Sequence, residues 1–374
     1  MAAYFNIGPG SYAGVSVNEQ SALGLSAVWR AVSLISQTIA SLPLRSLRDD
    51  SEGIRQQVPS FLDDPGTPDG MTQFEWTETV VAYLLLHGAA PLLHIYNGAG
   101  ALAGTLPIHP LCVTPEWEKD ANGKATGRKV FKVDLADGTL RTFTPDEMTY
   151  IPGLSLDGLR GESVITVARN SLGTAIAGDR AAARMFGNGA MIAGLVTPEE
   201  DITEAEAKDI KAGLDAKITG VENAAQIAVI NRKLKFTPWT MTAEDAQFLQ
   251  SRAFSIEEVA RWFGVPPHLL MQTDKQTSWG SGVAEQNRGL ARTVLTPWCN
   301  RIEQRLSRLL RGQAFVEFDL TGLERGNPEG EIELLIKQVE AGLLTANEAR
   351  AIRNLPPLPE ATTPPEVPDE PEAV

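Results

Sequence analysis

Cysteine and histidine are scarce in this sequence. Its 374 residues include two cysteines, which lie far apart in the chain, and four histidines. Two distant cysteines cannot build a disulfide framework, and this usage is typical of a reducing cytoplasm. No two histidines are four residues apart on a helix and no cysteine pair accompanies them, so we predict no metal site. The cysteines are Cys112 and Cys299, and the histidines are His87, His94, His109 and His268.

Long apolar runs and a secretory leader are missing as well. The longest apolar run covers residues 80–86, far short of the roughly 20 residues that a membrane-spanning helix needs. The first ten residues contain no basic stretch followed by an apolar core, so we expect no secretory signal. Together these absences predict a protein without a membrane partner.

Basic residues are outnumbered by acidic ones. The sequence has 33 Lys and Arg against 47 Asp and Glu, for a formal charge of −14. Because duplex affinity comes mainly from Lys and Arg that neutralise phosphates, this balance argues against a tight nucleic-acid binder. The apolar fraction of 43% is that of a globular protein. At about 100–200 residues per domain, the length allows two or three folding units.

Hydrophobic periodicity predicts an α+β fold. In the first half, a helix is expected over 22–40 with Trp29 in its apolar stripe, and a second helix from Thr72 to Gly88. Short alternating runs between 91 and 152 predict an antiparallel meander on these two helices.

The second half is predicted to be mainly helical. Helices are expected over 162–186, 243–263 and 283–311, with Pro297 kinking the last one. Strands are expected at 192–196 and 314–320, and a hairpin from 226–230 and 233–237. Two short helices follow, the second opened by the capping box of Thr345 and Glu348. Residues 356–374 hold seven prolines and five acidic residues with no basic one, which predicts a disordered tail.

Motifs for catalysis are absent. The glycines of 98–104 are followed by Thr-Leu-Pro, which cannot open the helix that a dinucleotide site requires, so a hairpin loop is predicted. The stretch 153–158 has one residue too many for a nucleophile elbow. One acidic cluster could form a two-metal nuclease site, or it could simply occupy a helix N-terminus, where the macrodipole favours negative charge. Its members are Glu199, Glu200, Asp201, Glu204 and Glu206.

Several segments occur in a recognisable order along the chain. In the second half these are FGNGAMIAGLV (186–196), DAQFLQSRAFSIEEVARWFGVPPHLL (245–270), VAEQNRGLARTVLTPWCNRIEQRL (283–306) and GLLTANEARAIRNLPPLP (342–359). Upstream they are VWRAVSLISQTIASLPLR (28–45), VVAYLLLHGAAPLLHIYN (80–97) and GLRGESVI (158–165). Over nearly the whole chain except the tail, the sequence resembles the phage portal protein family, the head-to-tail connectors of tailed bacteriophages.

The resemblance implies a non-enzymatic channel protein without a cofactor. Family members form a ring, typically of twelve subunits, at one vertex of the head. Double-stranded DNA is pumped through the ring by the terminase motor and later leaves by the same route. The implied partners are further copies of the chain, the terminase large subunit, the major capsid protein and a head-completion or adaptor protein. The implied location is the virion, after assembly in the cytoplasm of the bacterial host.

The resemblance also divides the chain into the parts of a portal subunit. The implied parts are a wing (1–160), a first stem helix (161–188), a clip (189–241), a second stem helix (242–264), a tunnel loop (265–282), a kinked helix with a wing strand (283–325), a crown (326–355) and the tail (356–374).

Two groups of residues are implied contacts in such a ring. Tunnel-loop residues that would face DNA are Gln272, Lys275, Gln276 and Trp279. Clip residues that would meet the motor or adaptor are Glu204, Lys208 and Lys211. For the loop, a plain surface segment with scattered polar residues is the alternative.

A third group follows from helical spacing. Arg301, Arg305 and Arg308 share one face of the predicted helix 283–311. This face would either lie near DNA or form ion pairs with acidic neighbours across subunit boundaries. Two rival functions stay open at this point: a DNA-processing packaging nuclease that uses the Glu199–Glu206 carboxylates, and an interaction scaffold unrelated to phage.

Overall fold

The protein combines helices with antiparallel strands, which confirms the predicted α+β class. Contacts divide the chain into two units, Met1–Asp319 and Leu320–Val374. The structure is a computed structural model, and it describes residues 10–51, 53–66, 70–135, 137–187, 194–198, 203, 208, 234–238, 255–271, 289–320, 328–353 and 355–358.

The first unit contains most of the described helices. Its α-helices are α1 (Glu19–Leu23), α2 (Ser26–Ala40), α3 (Gln73–His87), α4 (Val164–Val167), α5 (Arg169–Gly187), α6 (255–263) and α7 (Thr296–Ser307). Short 3₁₀ turns lie at Phe61–Asp63, Pro110–Cys112 and Pro267–Leu270, and a π-helical turn lies at Ala291–Leu295. Among these helices, none combines the length and apolarity that crossing a bilayer requires.

The described strands form four small antiparallel sheets. The strands are β1 (Leu44–Asp49), β2 (Arg55–Gln57), β3 (Ala89–Tyr96), β4 (Leu102–Pro107), β5 (Val113–Lys119), β6 (Ala125–Asp134), β7 (Leu140–Phe143), β8 (Met148–Pro152), β9 (Gly194–Pro198), β10 (Leu234–Pro238) and β11 (Phe315–Phe318). The sheets have the orders β11-β1-β2, β4-β3-β8, β5-β6-β7 and β10-β9.

The core is centred on the packing of α2 against α3. The helix predicted over 22–40 is in fact two helices, α1 and α2, separated at Gly24 and Leu25. Val28, Ile35 and Ile39 are fully buried, as the apolar stripe predicts. Trp29, however, is 60% exposed, so its assignment to the stripe was wrong. It lies one residue, or about 100° of helical rotation, away from Val28, and therefore points off the buried face.

Helix α3 begins and ends where its sequence predicts. The Thr72 hydroxyl accepts the Glu75 backbone N–H, and the Glu75 carboxylate accepts the Thr72 N–H, which completes a capping box. Gly88 ends the helix in the left-handed region, at φ 71°. Deeper in the core, the Trp76 indole donates to the Thr105 carbonyl of β4 at 3.1 Å. This bond fixes the helix to the sheet beneath it.

The predicted meander is two sheets rather than one. The glycine-rich stretch 98–104 joins β3 and β4 as a hairpin, and Asp137–Gly138 turns β6 into β7, as predicted. However, β8 returns to pair with β3, with Thr149 opposite Leu92, and does not pair with β7. Local turn signals predict hairpins, whereas this return depends on pairing between distant segments.

Several elements further along differ from the prediction. Strand β1 was not predicted, although it pairs with the predicted strand β11 through partners such as Leu44 and Phe318. The last long helix of this unit ends at Ser307 rather than at 311, because Ser307 Oγ accepts the Val316 N–H at 2.9 Å and the chain turns into β11. The irregularity near Pro297 is the π-helical turn that directly precedes α7.

The predicted clip is described only in part. Strand β10 covers the predicted strand 233–237, and it pairs with β9, Thr237 opposite Leu195. The other half of the expected hairpin, 226–230, lies outside the described residues.

The second unit has two described helices, α8 (Pro328–Glu340) and α9 (Ala346–Ile352). The predicted capping box is confirmed, since Thr345 and Glu348 bond each other's backbone N–H groups. The predicted tail, from 359 onward, lies outside the described part of the chain.

Three glycines of the first unit bring separate backbones into contact; we refer to Gly88, Gly153 and Gly161 as the glycine junction. The Gly153 N–H donates to the Gly88 carbonyl at 2.7 Å. A Cβ added to Gly161 would lie 1.7 Å from that same carbonyl oxygen, and one added to Gly88 would lie 2.1 Å from the Glu162 carbonyl oxygen. The end of α3, the end of β8 and the approach to α4 therefore meet without room for a side chain.

We expect Gly161→Ala to destabilise the first unit by about 1–3 kcal/mol, because the new methyl group would force backbone segments apart. Gly98→Ala is the control, since a Cβ at Gly98 meets nothing within 4 Å. Urea denaturation followed by circular dichroism measures both. Equal unfolding free energies for the two variants would contradict the close contact at the glycine junction.

Candidate functional site

Most of the predicted DNA-facing and docking residues lie outside the described part of the chain. This holds for the tunnel-loop residues Gln272, Lys275, Gln276 and Trp279, and for Glu204 and Lys211 of the predicted clip. It also holds for the carboxylates of the alternative nuclease site, which are Glu199, Glu200, Asp201, Glu204 and Glu206. Lys208 is described and is an exposed helical residue.

The start of the predicted tunnel loop is described and is held in place. Gly264 ends α6 at φ 70°, as the sequence predicts, and the Val265 N–H donates to the Ala260 carbonyl at 2.9 Å. The Arg30 Nε of α2 donates to the Leu269 carbonyl at 3.2 Å. Met271 then adopts a left-handed φ of 64°, which is rare for a residue with a side chain, and is 77% exposed. Hydrogen bonds to α2 and α6 therefore hold the first residues of the predicted loop in place.

The three arginines of the predicted basic face do not share one environment. Arg301 Nη1 donates to the Gly153 carbonyl at 2.8 Å, and its guanidinium lies 5.6 Å from the centre of the Trp298 ring. Arg301 therefore attaches α7 to the glycine junction. Arg305 and Arg308, one and two turns further along α7, instead line a cavity.

This cavity has a volume of about 640 Å³ and lies between the end of α7 and two of the sheets. We name it the basic cleft, after Arg305, Arg308, Arg311 and Lys129, which line it. Arg305 is half-buried, while Arg308 and Arg311 are exposed. Burial, followed by the charge of Arg308, lowers the pKa of Arg305. Helical spacing in the sequence points to Arg305 and Arg308, and Arg311 joins them from the turn that follows the end of α7 at Ser307.

Polar and aromatic groups of the sheets complete the basic cleft. Tyr96 is 50% exposed, and its hydroxyl donates to the Asp146 carbonyl at 2.6 Å. His94 is buried, with Nε2 2.8 Å from the Thr149 hydroxyl, and burial lowers its pKa. The Asp146 carboxylate pairs with Arg128 at 3.1 Å. Among the described residues, Asp146 is the only one that lines the basic cleft with a carboxylate, and it already has a partner.

A second polar cluster was missed by the sequence reasoning. Glu19 Oε2 lies 3.2 Å from His87 Nε2 and 3.3 Å from His109 Nε2, and we name these residues the Glu19 cluster. They come from α1, from the end of α3 and from the 3₁₀ turn after β4, so they are 68 and 90 residues apart in sequence. Only the folded chain brings them together.

The geometry of the Glu19 cluster fits a carboxylate that accepts imidazole hydrogen bonds better than a metal site. One carboxylate oxygen and two imidazole nitrogens lie within 4.8 Å of one another, which is a possible ligand set. However, the Leu111 N–H donates to His109 Nδ1 at 3.3 Å, so His109 Nε2 carries the proton in the neutral ring. A metal at Nε2 would require the opposite tautomer. The predicted absence of a metal site stays a prediction.

The hydrogen bonds of the Glu19 cluster control the ionisation of its carboxyl group. The bonds from His109 and from His87 lower the pKa of Glu19 from 4.5 to about 2, against the opposing effect of burial. The Glu19 side chain is 22% exposed, and that of His87 only 7%. A charged carboxylate is thus held between three elements.

Comparison with known proteins identifies relatives of the whole chain. A sequence model of the phage portal protein family matches residues 26–354. The chain is 36% identical to the "Probable portal protein" of Streptomyces phage phiC31, over 95% of this chain and 80% of that protein. It is 32% identical to the "Portal protein" of Enterobacteria phage HK97, over 92% of this chain and 82% of that protein.

The fold is similar to that of a solved particle component. The chain aligns with one from the structure described as "Neck of native GTA particle computed with C12 symmetry". The TM-score is 0.65 at 20% identity, and the alignment covers 96% of this chain and 98% of that one.

We expect Glu19→Gln to lower the unfolding free energy at neutral pH by about 1–3 kcal/mol, because it removes the charge that two imidazoles bind. Since the folded pKa of Glu19, about 2, lies below its ordinary value of 4.5, this stabilisation is complete above pH 4.5. It is lost progressively as the pH falls from 4.5 towards 2.

Urea denaturation at several pH values measures the effect. The difference between wild type and Glu19→Gln should be constant from pH 7 to pH 5 and should shrink below about pH 4.5. Glu78→Gln, a substitution on α3 outside the cluster, is the control. A difference that is unchanged at the lowest pH would contradict the role of the Glu19 carboxylate.

Proposed function

The chain belongs to the phage portal protein family, and on this premise we propose that it is the subunit of a ring-shaped channel for double-stranded DNA at one vertex of a phage head. DNA enters through the ring during packaging and leaves through it at ejection. The observation that carries the proposal is the family match over residues 26–354, together with a named portal protein 36% identical over 95% of the chain.

A ring of twelve copies is supported by the C12 symmetry of the structurally similar particle neck. Exposed apolar side chains in the second unit support an assembly as well. Leu343 is 75% exposed, Leu334 56% and Ile336 51%. Large apolar side chains as exposed as these gain free energy when another protein covers them. Neighbouring copies in a ring would cover these side chains.

The negative net charge of the chain is consistent with a channel through which DNA passes. With a charge of −14 on each copy, a ring of twelve would carry twelve times that charge. Such a ring cannot hold a duplex tightly through counterion release, which needs many Lys and Arg contacts to phosphates. DNA that must move in both directions is better served by a channel wall with few phosphate contacts. The proposed mechanism is therefore passive guidance of DNA that an ATP-driven motor moves.

The remaining parts of the proposal follow the division into wing, stem, clip, tunnel loop and crown. The clip would meet the terminase large subunit and later the head-completion protein, through residues such as Glu204, Lys208 and Lys211. The tunnel loop would touch DNA through Gln272, Lys275, Gln276 and Trp279. The major capsid protein would be a further partner. The proposed location is the virion, and the protein would be assembled in the host cytoplasm.

The rival nuclease function has less support. The relatives named above are portal proteins, and no nuclease is among them. We therefore include no enzymatic activity in the proposal, and the experiment below tests the rival directly.

We expect the purified full-length protein to form a closed ring with a central hole, most simply of twelve subunits. Negative-stain microscopy and native mass spectrometry measure the ring and its mass. A parallel assay with linear duplex DNA and Mg²⁺ tests for cleavage. A monomer that cleaves DNA would overturn the proposal in favour of the nuclease, whereas an inert monomer would favour a scaffold.

We expect deletion of residues 272–279 to leave ring assembly intact while impairing DNA packaging or retention, because the proposed tunnel loop touches DNA without holding the ring together. A deletion of equal length in the predicted tail, 364–371, is the control. Packaged DNA per particle and the mass of the ring are the two measurements. Loss of the ring in the loop deletion alone would identify 272–279 as a subunit contact instead.

A further inference from the structure

The basic cleft concentrates positive charge on a chain that is acidic overall. Arg305 lies in the last turn of α7, Arg308 caps that helix, and Arg311 follows in the turn towards β11. Lys129 approaches from β6, and its pKa is lowered by burial and then by the charge of Arg305. Four cationic side chains therefore border one cavity of about 640 Å³.

The arginines of the cleft have no counterion in the described part of the chain. Neither Arg305, Arg308 nor Arg311 forms a hydrogen bond or ion pair with a described residue. The nearby Glu303 carboxylate is engaged elsewhere, since it accepts the Phe318 N–H at 2.8 Å. Asp146 is paired with Arg128. The carboxylates of Glu303 and Asp146 thus have partners among the described residues, whereas the guanidinium groups of the cleft have none there.

This arrangement is costly without a ligand. A partly buried charge is normally paired, because desolvation penalises an isolated ion. Arg305 is half-buried and beside two other cations, so its environment disfavours its own charge. The negative end of the α7 dipole accounts for basic residues near the helix terminus. It does not account for a half-buried guanidinium that faces a cavity.

We propose that Arg305, Arg308 and Arg311 form a binding site for a phosphate group. Arginine presents its donors in a planar fork that matches two oxygens of a phosphate at once. Three such groups suit a multivalent oxyanion better than one carboxylate. The cavity volume also lies in the range of about 300–1,000 Å³ that is typical of small-molecule sites. Tyr96, half-exposed on the opposite wall, leaves an aromatic surface beside the anion.

Two sources of phosphate share this chemistry. One is a free phosphate compound from solution, and the other is the backbone of DNA near the protein. A carboxylate from a neighbouring copy is a different occupant, and it makes a different prediction for the assembled protein. The inference does not rest on the channel function, because anion binding is measured on the isolated protein.

The test measures binding of inorganic pyrophosphate to the full-length protein by isothermal titration calorimetry. We expect Arg305→Gln and Arg308→Gln each to weaken binding about tenfold or more, because each removes a charge-assisted, two-bond contact. Arg305→Lys should lie between wild type and Arg305→Gln, because it keeps the charge but loses the fork. Arg308 is exposed, so its variant should fold even if the half-buried Arg305 proves necessary for folding.

Arg292→Gln is the matched control. Arg292 is an exposed arginine in the π-helical turn before α7, and its substitution removes the same charge without touching the basic cleft. Its affinity for pyrophosphate should equal that of wild type. If Arg292→Gln and Arg308→Gln lost the same affinity for pyrophosphate, the loss would come from the change in net charge, and the proposed site would be wrong. The proposal would also be wrong if the wild-type protein did not bind pyrophosphate.

A parallel titration with a short DNA duplex, followed by fluorescence anisotropy, distinguishes the sources. If Arg308→Gln weakens both ligands, the site also accepts the DNA backbone. If it weakens pyrophosphate alone, the site takes a free phosphate compound. If the assembled protein binds neither ligand and Arg305→Gln dissociates it, a neighbouring copy fills the basic cleft and the proposal is wrong.

Discussion

The close backbone contact at the glycine junction is the constraint on which the rest of the first unit depends. The Gly88 carbonyl accepts the Gly153 N–H at 2.7 Å, and Gly161 lies so near that no Cβ fits. The Gly153 carbonyl in turn accepts Arg301 Nη1 at 2.8 Å. One small region therefore joins the core helix α3, the end of β8, the approach to α4 and the side of α7. The position of α7, and with it the basic cleft, follows from this region.

In helix α7, the helical periodicity determines both which side chains are buried and which face the cavity. Cys299, Ile302 and Leu306 recur at helical spacing and are fully buried, so they fix the rotation of the helix against the sheets. Arg305 is adjacent to Leu306 and is carried to the edge of the buried face, where it is half covered. Its guanidinium then meets the cavity rather than open water. The buried residues of α7 therefore determine where the half-buried charge of Arg305 lies.

Local signals in the sequence predicted elements well, whereas contacts between distant segments were not predictable from them. The capping boxes at Thr72 and Thr345 depend on residues three positions apart, so pattern alone locates these helix starts. Strand β1, the pairing of β8 with β3 and the Glu19 cluster depend on partners that only the fold brings near. The different contacts of Arg301 and Arg305 were not predictable either. Helical spacing places both residues on one face, but it does not say which groups of the fold each side chain meets.

Overall acidity and a local cationic site act over different distances. At physiological salt, exposed charges are screened beyond about 8 Å, so carboxylates farther than this from the basic cleft have little effect there, whatever the net charge of −14. A phosphate group inside the basic cleft would lie against the guanidinium groups of Arg305 and Arg308, well within that distance. Composition therefore argues against tight binding of a long duplex along the surface, because many contacts between basic residues and phosphates would be needed. It places no such limit on one phosphate bound by a few arginines.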